Sequence, residues 1–162
     1  LFAFTVPPDV TPVAGENSVS GSQQSKEGPS DAVPEPVLLA RKSESFPLDE
    51  TRFYMILTDM YDNPSLYKGK RIRVTGMVFH KKNAPSEECA ILRMLMTCCA
   101  ADLQPVGLVC VMKPGLSFGQ KAWVHAEGTI SLKPSEQGEI PILEVEKAEP
   151  AEKPAQEYIY PI

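Results

Sequence analysis

The stretch Lys70-Arg-Ile-Arg-Val-Thr-Gly-Met-Val-Phe-His80 alternates between apolar and polar side chains. Ile72, Val74 and Val78 share one face with Gly76, whereas arginine and threonine occupy the other face. Successive side chains of a strand point to opposite faces, so this alternation predicts a half-buried β-strand. The stretch therefore predicts a sheet with one face turned toward a hydrophobic core.

Further apolar runs follow this strand, and their connections are rich in proline and glycine. The runs are Cys89 to Cys98, Val106 to Met112, Lys121 to Leu132 and Ile140 to Lys147. Proline and glycine between short apolar runs indicate turns rather than crossover helices. We therefore predict a mainly β fold for residues 46–162, a small five-stranded OB-like barrel.

One amphipathic helix is predicted on the N-terminal side of the first strand. Apolar residues recur there at helical spacing, at Phe53, Ile56, Leu57, Met60 and Tyr61. Asp49 has the residue type of an N-cap, and Asn63-Pro64 is a natural stop. A single further turn is predicted before Gly69, which can adopt the left-handed conformation that ends it.

Residues 1–45 differ from the rest in composition. From Pro7 to Ser45 the chain is dominated by Pro, Ser, Gly, Glu and Gln, and it lacks a sustained hydrophobic period. Such a segment buries too little apolar surface to offset the entropy of ordering, which predicts a disordered tether. Leu1 to Val6 is apolar but far shorter than a membrane span. We interpret it as the end of a membrane segment, the alternative being an arbitrary starting point.

The charge balance and the absence of catalytic motifs limit the function classes. The formal net charge is −5 and the pI is about 5.1, which argues against a nucleic-acid partner, since such binding rests on Lys and Arg. The sequence has no Walker loop, His-Glu-x-x-His element or paired-carboxylate motif. We therefore predict no enzymatic activity.

The chemistry-bearing stretch is Arg93-Met-Leu-Met-Thr-Cys-Cys-Ala-Ala-Asp102. On a regular strand the side chains of Cys98 and Cys99 would point to opposite faces. The two thiols converge only if the strand ends and the backbone turns near Ala100. Whether the pair can act together therefore depends on a break in the strand.

A converged Cys98-Cys99 pair has two uses. Thiolates bind a soft or borderline metal ion, and two thiols can instead form an easily reduced vicinal disulfide. A nearby Arg93 would favour the thiolate form, and an ion pair between Arg93 and Asp102 would fix the turn. The alternative is that both cysteines are small, inert core residues.

The other sulfur and imidazole groups carry weaker signals. Cys89 and Cys110 stand in no Cys-x-x-Cys spacing, and we assign them no function. His80 and His125 are predicted on strand surfaces, outside any short His motif. The sequence therefore restricts the candidate site to Cys98 and Cys99, supported by Arg93 and Asp102.

These residues resemble the C-terminal soluble domain of the YcgQ-like family of membrane permease subunits. The resemblance runs from Phe53 to Ile130 and includes Tyr61-Asp-Asn-Pro64, Tyr67-Lys-Gly-Lys70, Val74-Thr-Gly-Met-Val78, Arg93 to Asp102 and Gln104-Pro-Val-Gly-Leu108. The tail is similar as well, at Ile140-Pro-Ile-Leu-Glu-Val145 and Tyr158-Ile-Tyr-Pro161. The family motif falls on Arg93, Cys98, Cys99, Ala101 and Asp102, and this chain departs from it at Leu103.

The resemblance implies a membrane-anchored domain on the extracytoplasmic side, working beside a separate integral-membrane permease subunit. Three hypotheses follow. The first is an accessory domain of that permease complex, with Cys98 and Cys99 binding a soft metal or responding to redox state. The second is a thiol-active redox protein that uses the same pair. The third is an OB-type binding module for an oligomeric ligand, which the charge balance disfavours.

Overall fold

The computed structural model describes residues 32–161. The helices are α1 (Glu35–Lys42) and α2 (Phe53–Asp62), with short 3₁₀ turns at Pro64–Leu66 and Ala100–Asp102. The strands are β1 (Ser45–Leu48), β2 (Arg71–Phe79), β3 (Glu88–Leu95), β4 (Gln104–Met112), β5 (Trp123–Ser135), β6 (Gly138–Pro150) and β7 (Tyr158–Ile159). Each predicted strand is present, with ends that differ by a few residues.

These strands form a seven-stranded sheet in the order β1-β2-β5-β6-β4-β3-β7. An additional pairing of β2 with β3 joins β2, β5, β6, β4 and β3 into a ring of five strands. β1 is added parallel to β2, and β7 is added parallel to β3. The predicted mainly β fold with five ring strands is confirmed, and two short outer strands extend it.

The ring encloses the core that the alternation in β2 predicts. Ile72, Val74 and Val78 are all buried, while the intervening arginines are exposed. The strands approach so closely that a Cβ on Gly107 of β4 would lie 2.0 Å from the carbonyl oxygen of Ile91. Gly107 is therefore required by the contact between β3 and β4.

Helix α2 covers the core with the predicted apolar face. Phe53, Ile56, Leu57 and Met60 are its buried residues. The helix ends at Asp62 as predicted, but Asp49 is not its N-cap, because Arg52 occupies that position. The carboxylate of Asp49 instead accepts a hydrogen bond from the Arg52 backbone N–H at 3.2 Å and closes the preceding turn.

The tether prediction is wrong for residues 35–42, because α1 lies within that segment. Val37 and Ala40 of α1 are buried, so this short helix contributes apolar surface to the domain. Arg41 donates to both carboxylate oxygens of Asp59 on α2, which joins the two helices. The remainder of the predicted tether, including the apolar stretch Leu1 to Val6, lies outside the described residues.

Neither α1 nor α2 is long and apolar enough to cross a bilayer.

Candidate functional site

The candidate site lies at the end of the β3–β4 hairpin. The last paired residues of this hairpin are Leu95 and Gln104. We call residues 96–103 the tip loop and the paired strands β3 and β4 the stem. The predicted strand through Cys98 is thus wrong at its end, because β3 stops at Leu95. The strand break that the two thiols require is therefore present, and it comes before the cysteines.

The tip loop brings the two thiols together. The Sγ atoms of Cys98 and Cys99 are 3.6 Å apart, and both residues are exposed. Asp102 lies beside them, because its backbone N–H donates to the carbonyl oxygen of Cys99 at 3.1 Å. One sulfur from each cysteine and one carboxylate oxygen of Asp102 all lie within 4.8 Å of one another. These three side chains form the tip site.

The carboxylate of Asp102 also holds the backbone of the tip loop. It accepts hydrogen bonds from the backbone N–H groups of Thr97 at 3.1 Å and Cys98 at 2.7 Å. These hydrogen bonds satisfy backbone N–H groups that have no partner on β4, because the pairing of β3 with β4 ends at Leu95. Asp102 is therefore both a potential ligand and the residue that shapes the loop.

The separation of the two sulfurs decides between a bonded pair and a chelating pair. A disulfide bond is about 2.05 Å long, so sulfurs at 3.6 Å are two free thiols. Two thiolates on one tetrahedral zinc, each about 2.3 Å from the metal, lie about 3.8 Å apart. The observed separation therefore fits shared coordination of one metal ion with little movement.

Electrostatics in the tip loop favour a protonated thiol in the metal-free protein. Hydrogen bonding to Asp102, and secondly to Cys99, raises the pKa of Cys98 to about 11. The same contact with Cys98 lowers the pKa of Asp102, which is therefore ionised at neutral pH. A metal ion must displace a proton from Cys98 in order to bind both sulfurs.

Arg93 does not belong to the tip site. Its side chain is fully buried and donates to the carbonyl oxygen of Gln156 at 2.6 Å, while its guanidinium lies 5.3 Å from the centre of the Trp123 ring. Its ion-pair partner is Glu50, at 3.4 Å. No salt bridge between Arg93 and Asp102 exists within residues 32–161, so the predicted ion pair is wrong.

The predicted effect of Arg93 on the thiolates is wrong for the same reason. Arg93 precedes the end of β3 and is held against the C-terminal segment, whereas the cysteines follow the strand break. Its Nε atom has no hydrogen-bond partner in the described structure. Arg93 therefore holds the C-terminal segment against the stem. This role depends on Glu50 and on carbonyl groups that are distant in sequence, so no local sequence pattern predicts it.

The two histidines lie outside the tip site. The Nε2 atom of His80 is 2.8 Å from the carbonyl oxygen of Phe118. The Nδ1 atom of His125 is 2.7 Å from the hydroxyl of Thr75. Neither imidazole belongs to the group of potential ligands formed by the tip site. Within the described chain, that site consists of sulfur and carboxylate ligands.

The fold and the tip site together define a small mainly β domain with two exposed thiols and one carboxylate on a hairpin loop. A family model described as the DUF1980 C-terminal domain matches residues 24–161. The chain belongs to this family of domains, whose function is unknown.

Other comparisons are less informative. No curated protein matches the chain. A solved DUF3299 family protein from Pseudomonas aeruginosa PAO1 is 14% identical, with 53% of this chain and 64% of that chain covered and a TM-score of 0.36. The N-terminal domain of PriB from Thermoanaerobacter tencongensis is 10% identical, with 51% and 96% covered and a TM-score of 0.31. Neither similarity is close enough to support an argument about function.

Proposed function

We propose that this domain binds a thiophilic metal ion at the tip site, as the extracytoplasmic accessory domain of a membrane permease complex. The observation that carries the proposal is the convergence of two exposed sulfurs and a carboxylate oxygen within 4.8 Å. Thiolates select soft and borderline ions such as Cu(I), Zn²⁺ and Cd²⁺. A carboxylate as third ligand favours the divalent ions of this group.

The exposure of the tip site suits transfer of a metal rather than permanent storage. Structural zinc sites are closed by four protein ligands, whereas sites that exchange a ligand keep a position open. The tip site offers three ligands on an exposed loop, which leaves room for a ligand from solvent or from another protein. We propose that the domain presents a metal ion to its membrane partner.

The permease assignment rests on resemblance. The motif residues Arg93, Cys98, Cys99 and Asp102 resemble those of the YcgQ-like permease subunits, and the chain belongs to the DUF1980 family. We propose a separate integral-membrane permease subunit as the partner and the outer side of the cell membrane as the location. The net charge of −5 is unfavourable for a nucleic-acid partner.

Metal binding at the tip site should depend on pH with a defined sign. The pKa of Cys98 is about 11, so its thiol is protonated at neutral pH. Metal binding at neutral pH therefore releases that proton. The apparent affinity should therefore rise with pH, by up to about tenfold per pH unit for each proton released. Titration calorimetry in buffers of different ionisation enthalpy would count those protons.

Metal titration of the reduced full chain tests the site. Cd²⁺ added to the protein should produce a thiolate-to-metal absorption band that saturates at one ion per chain. The Cys98→Ser/Cys99→Ser variant should bind at least about 100-fold more weakly, since both sulfur ligands are lost. Cys89→Ala/Cys110→Ala, which removes the two buried thiols, is the matched control and should bind like the parent.

The titration also has an outcome that refutes the proposal. If the absorption band survives in Cys98→Ser/Cys99→Ser but disappears in Cys89→Ala/Cys110→Ala, the metal does not bind at the tip site.

The permease assignment is tested separately, by isolating the full-length protein from detergent-solubilised membranes. A multi-helix membrane protein should co-purify in stoichiometric amount, and its consistent absence would contradict the accessory role.

A redox function of the same thiols is the second candidate, favoured by the 3.6 Å separation of two exposed sulfurs. Oxidation would join Cys98 and Cys99 in a vicinal disulfide that is readily reduced. Thiol counting after mild oxidation distinguishes this candidate from metal binding. Loss of the two exposed thiols, without stoichiometric metal binding by the reduced protein, would support the redox function instead.

A further inference from the structure

The two remaining cysteines lie opposite each other in the stem. Cys89 of β3 is the direct antiparallel partner of Cys110 of β4. Two positions away, the Met112 N–H donates to the Glu87 carbonyl oxygen at 2.8 Å. Hydrogen-bonded and non-hydrogen-bonded pairs alternate along an antiparallel ladder, so Cys89 and Cys110 form a hydrogen-bonded pair. The Cα atoms of such a pair are about 5.5 Å apart, close to the commonest distance across a disulfide.

The side chains of this pair also face each other. Cys89 is 3% exposed and Cys110 is 0% exposed, so both point to the core side of the stem. The two thiols influence each other, because hydrogen bonding from Cys110 lowers the pKa of Cys89. The Cys110 Sγ atom also lies 3.4 Å from the carbonyl oxygen of Leu108, to which its thiol donates. The register and the shared core face therefore place the two thiols opposite each other, as a cross-strand disulfide requires.

We propose that Cys89 and Cys110 form a cross-strand disulfide when the domain folds in an oxidising compartment. Two thiols lose two protons and two electrons, and one S–S bond forms between the Sγ atoms. The electrons pass to the disulfide of a thiol–disulfide oxidoreductase, or of glutathione disulfide, which is reduced to two thiols. Attack by a thiolate on that external disulfide gives a mixed disulfide, which the second thiol then resolves.

The bond forms before the stem is fully packed. In the folded domain both thiols are shielded from solvent, and burial raises the pKa of the Cys110 thiol. A protonated, shielded thiol reacts slowly with an external disulfide. During folding, β3 and β4 pair in register and bring the thiols together while the oxidant still has access. The finished bond closes a loop that contains the whole tip site.

This inference does not depend on metal binding at the tip site, because it concerns the buried thiols alone; it rests on the proposed extracytoplasmic location for its oxidising compartment. In an oxidising compartment, Cys89 and Cys110 would be consumed in a structural bond, leaving Cys98 and Cys99 as the reactive thiols. A bond that closes a loop stabilises the fold by restricting the unfolded chain. The cysteines thus divide into one structural pair and one ligand pair.

Oxidative refolding of the full chain tests the proposal. The reduced, denatured protein is refolded in a buffer of reduced and oxidised glutathione and then digested without reduction. Mass spectrometry should find one peptide pair joined between Cys89 and Cys110, 2 Da lighter than the two separate peptides. The melting temperature should exceed that of the reduced protein by roughly 10 °C.

Two variants keep the test decisive. Cys98→Ser/Cys99→Ser should form the same linked peptide, since the tip thiols are not involved. Cys89→Ala/Cys110→Ala should show no difference in melting temperature between reducing and oxidising conditions. The proposal is overturned if both stem thiols remain free after refolding, or if either is linked mainly to Cys98 or Cys99. Neither result would affect metal binding by the reduced tip site, so the two proposals fail separately.

Discussion

The stem and the tip loop of the β3–β4 hairpin carry the same residue type in opposite environments. In the stem, Cys89 and Cys110 are buried, and each faces a thiol. In the tip loop, Cys98 and Cys99 are exposed and lie beside a carboxylate. The chemistry of a cysteine is therefore set by what surrounds it. Buried, paired thiols suit a structural bond, whereas exposed thiols beside an oxygen ligand suit a metal ion.

The two regions should also differ in how they respond to substitution. The stem packs against the core and the C-terminal segment, so changes there should reduce the stability of the whole domain. The tip loop extends beyond the last paired residues and contributes little buried surface. Changes in it should therefore alter thiol chemistry and metal affinity while leaving the free energy of unfolding almost unchanged.

Gly107→Ala in the stem should destabilise the domain most. The added Cβ would lie 2.0 Å from the carbonyl oxygen of Ile91, so the backbones of β3 and β4 would have to separate. We expect the free energy of unfolding to fall by about 4 kcal/mol, measured by urea denaturation.

Gly119→Ala is the matched control, because no atom lies within 4 Å of its added Cβ. It should change stability by less than about 0.5 kcal/mol. Equal stabilities of the two variants would show that the stem is not closely packed. The stem would then be no more sensitive to substitution than the tip loop.

The next largest effect is expected for Arg93→Met. The substitution removes the donor that satisfies the carbonyl oxygen of Gln156 and the cation over Trp123. We expect a loss of about 3 kcal/mol in the free energy of unfolding, measured by thermal and urea denaturation. Metal affinity at the tip site should stay within about twofold, because Arg93 lies away from the cysteines.

Arg71→Met is the control for this prediction. Arg71 also forms ion pairs, but its side chain is 44% exposed, so its loss should cost less than about 1 kcal/mol. A large fall in metal affinity with Arg93→Met at unchanged stability would restore the sequence-based idea that Arg93 supports the thiolates.

The smallest effect on stability, but a distinct effect on chemistry, is expected for Asp102→Asn in the tip loop. Hydrogen bonding to Asp102, and secondly to Cys99, raises the pKa of Cys98 to about 11, so a neutral replacement of Asp102 should move that pKa toward the ordinary value of 9. At pH 8 the thiolate fraction should then rise by up to about 100-fold. The less basic thiolate is also a weaker nucleophile, which reduces the gain by about tenfold, so alkylation should be up to about tenfold faster.

The alkylation rate of Cys98 by iodoacetamide is measured by peptide mass spectrometry across a pH series. Glu136→Gln, which removes a carboxylate from the exposed turn between β5 and β6, is the control and should leave the rate unchanged. An unchanged or slower rate in Asp102→Asn would contradict the assigned role of Asp102 in the protonation of Cys98.

Much of the fold could be predicted because its signals are local. The alternation in β2 and the helical spacing of Phe53 to Tyr61 each come from residues that are neighbours in the chain. Helix α1 is not predicted by the sequence, because its few apolar residues are buried only when α1 packs against α2. The two helices are joined by the contact between Arg41 and Asp59. The helical propensity of α1 alone did not distinguish it from the proline-rich sequence before it.

The candidate site could be predicted only in part. Spacing identified Cys98 and Cys99 as the candidate ligands, together with the condition that the strand must break, whereas Asp102 was predicted only as the partner of Arg93; the structure adds it as a third potential ligand. Arg93 was assigned to the same site because it is near in sequence. Its actual partners are 43 positions away at Glu50 and 63 positions away at Gln156. Spacing along one strand cannot reveal such partners.

The mainly β character, the order of the strands along the chain and the two adjacent thiols could all be derived from the amino-acid sequence. These properties follow from periodicity and residue type, which act over a few neighbouring residues. The convergence of Cys98 and Cys99 with Asp102, and the pairing of Cys89 with Cys110, are visible only in the folded domain. Both outcomes depend on where β3 stops and on the register in which β4 returns, and a register is fixed by packing across the whole sheet.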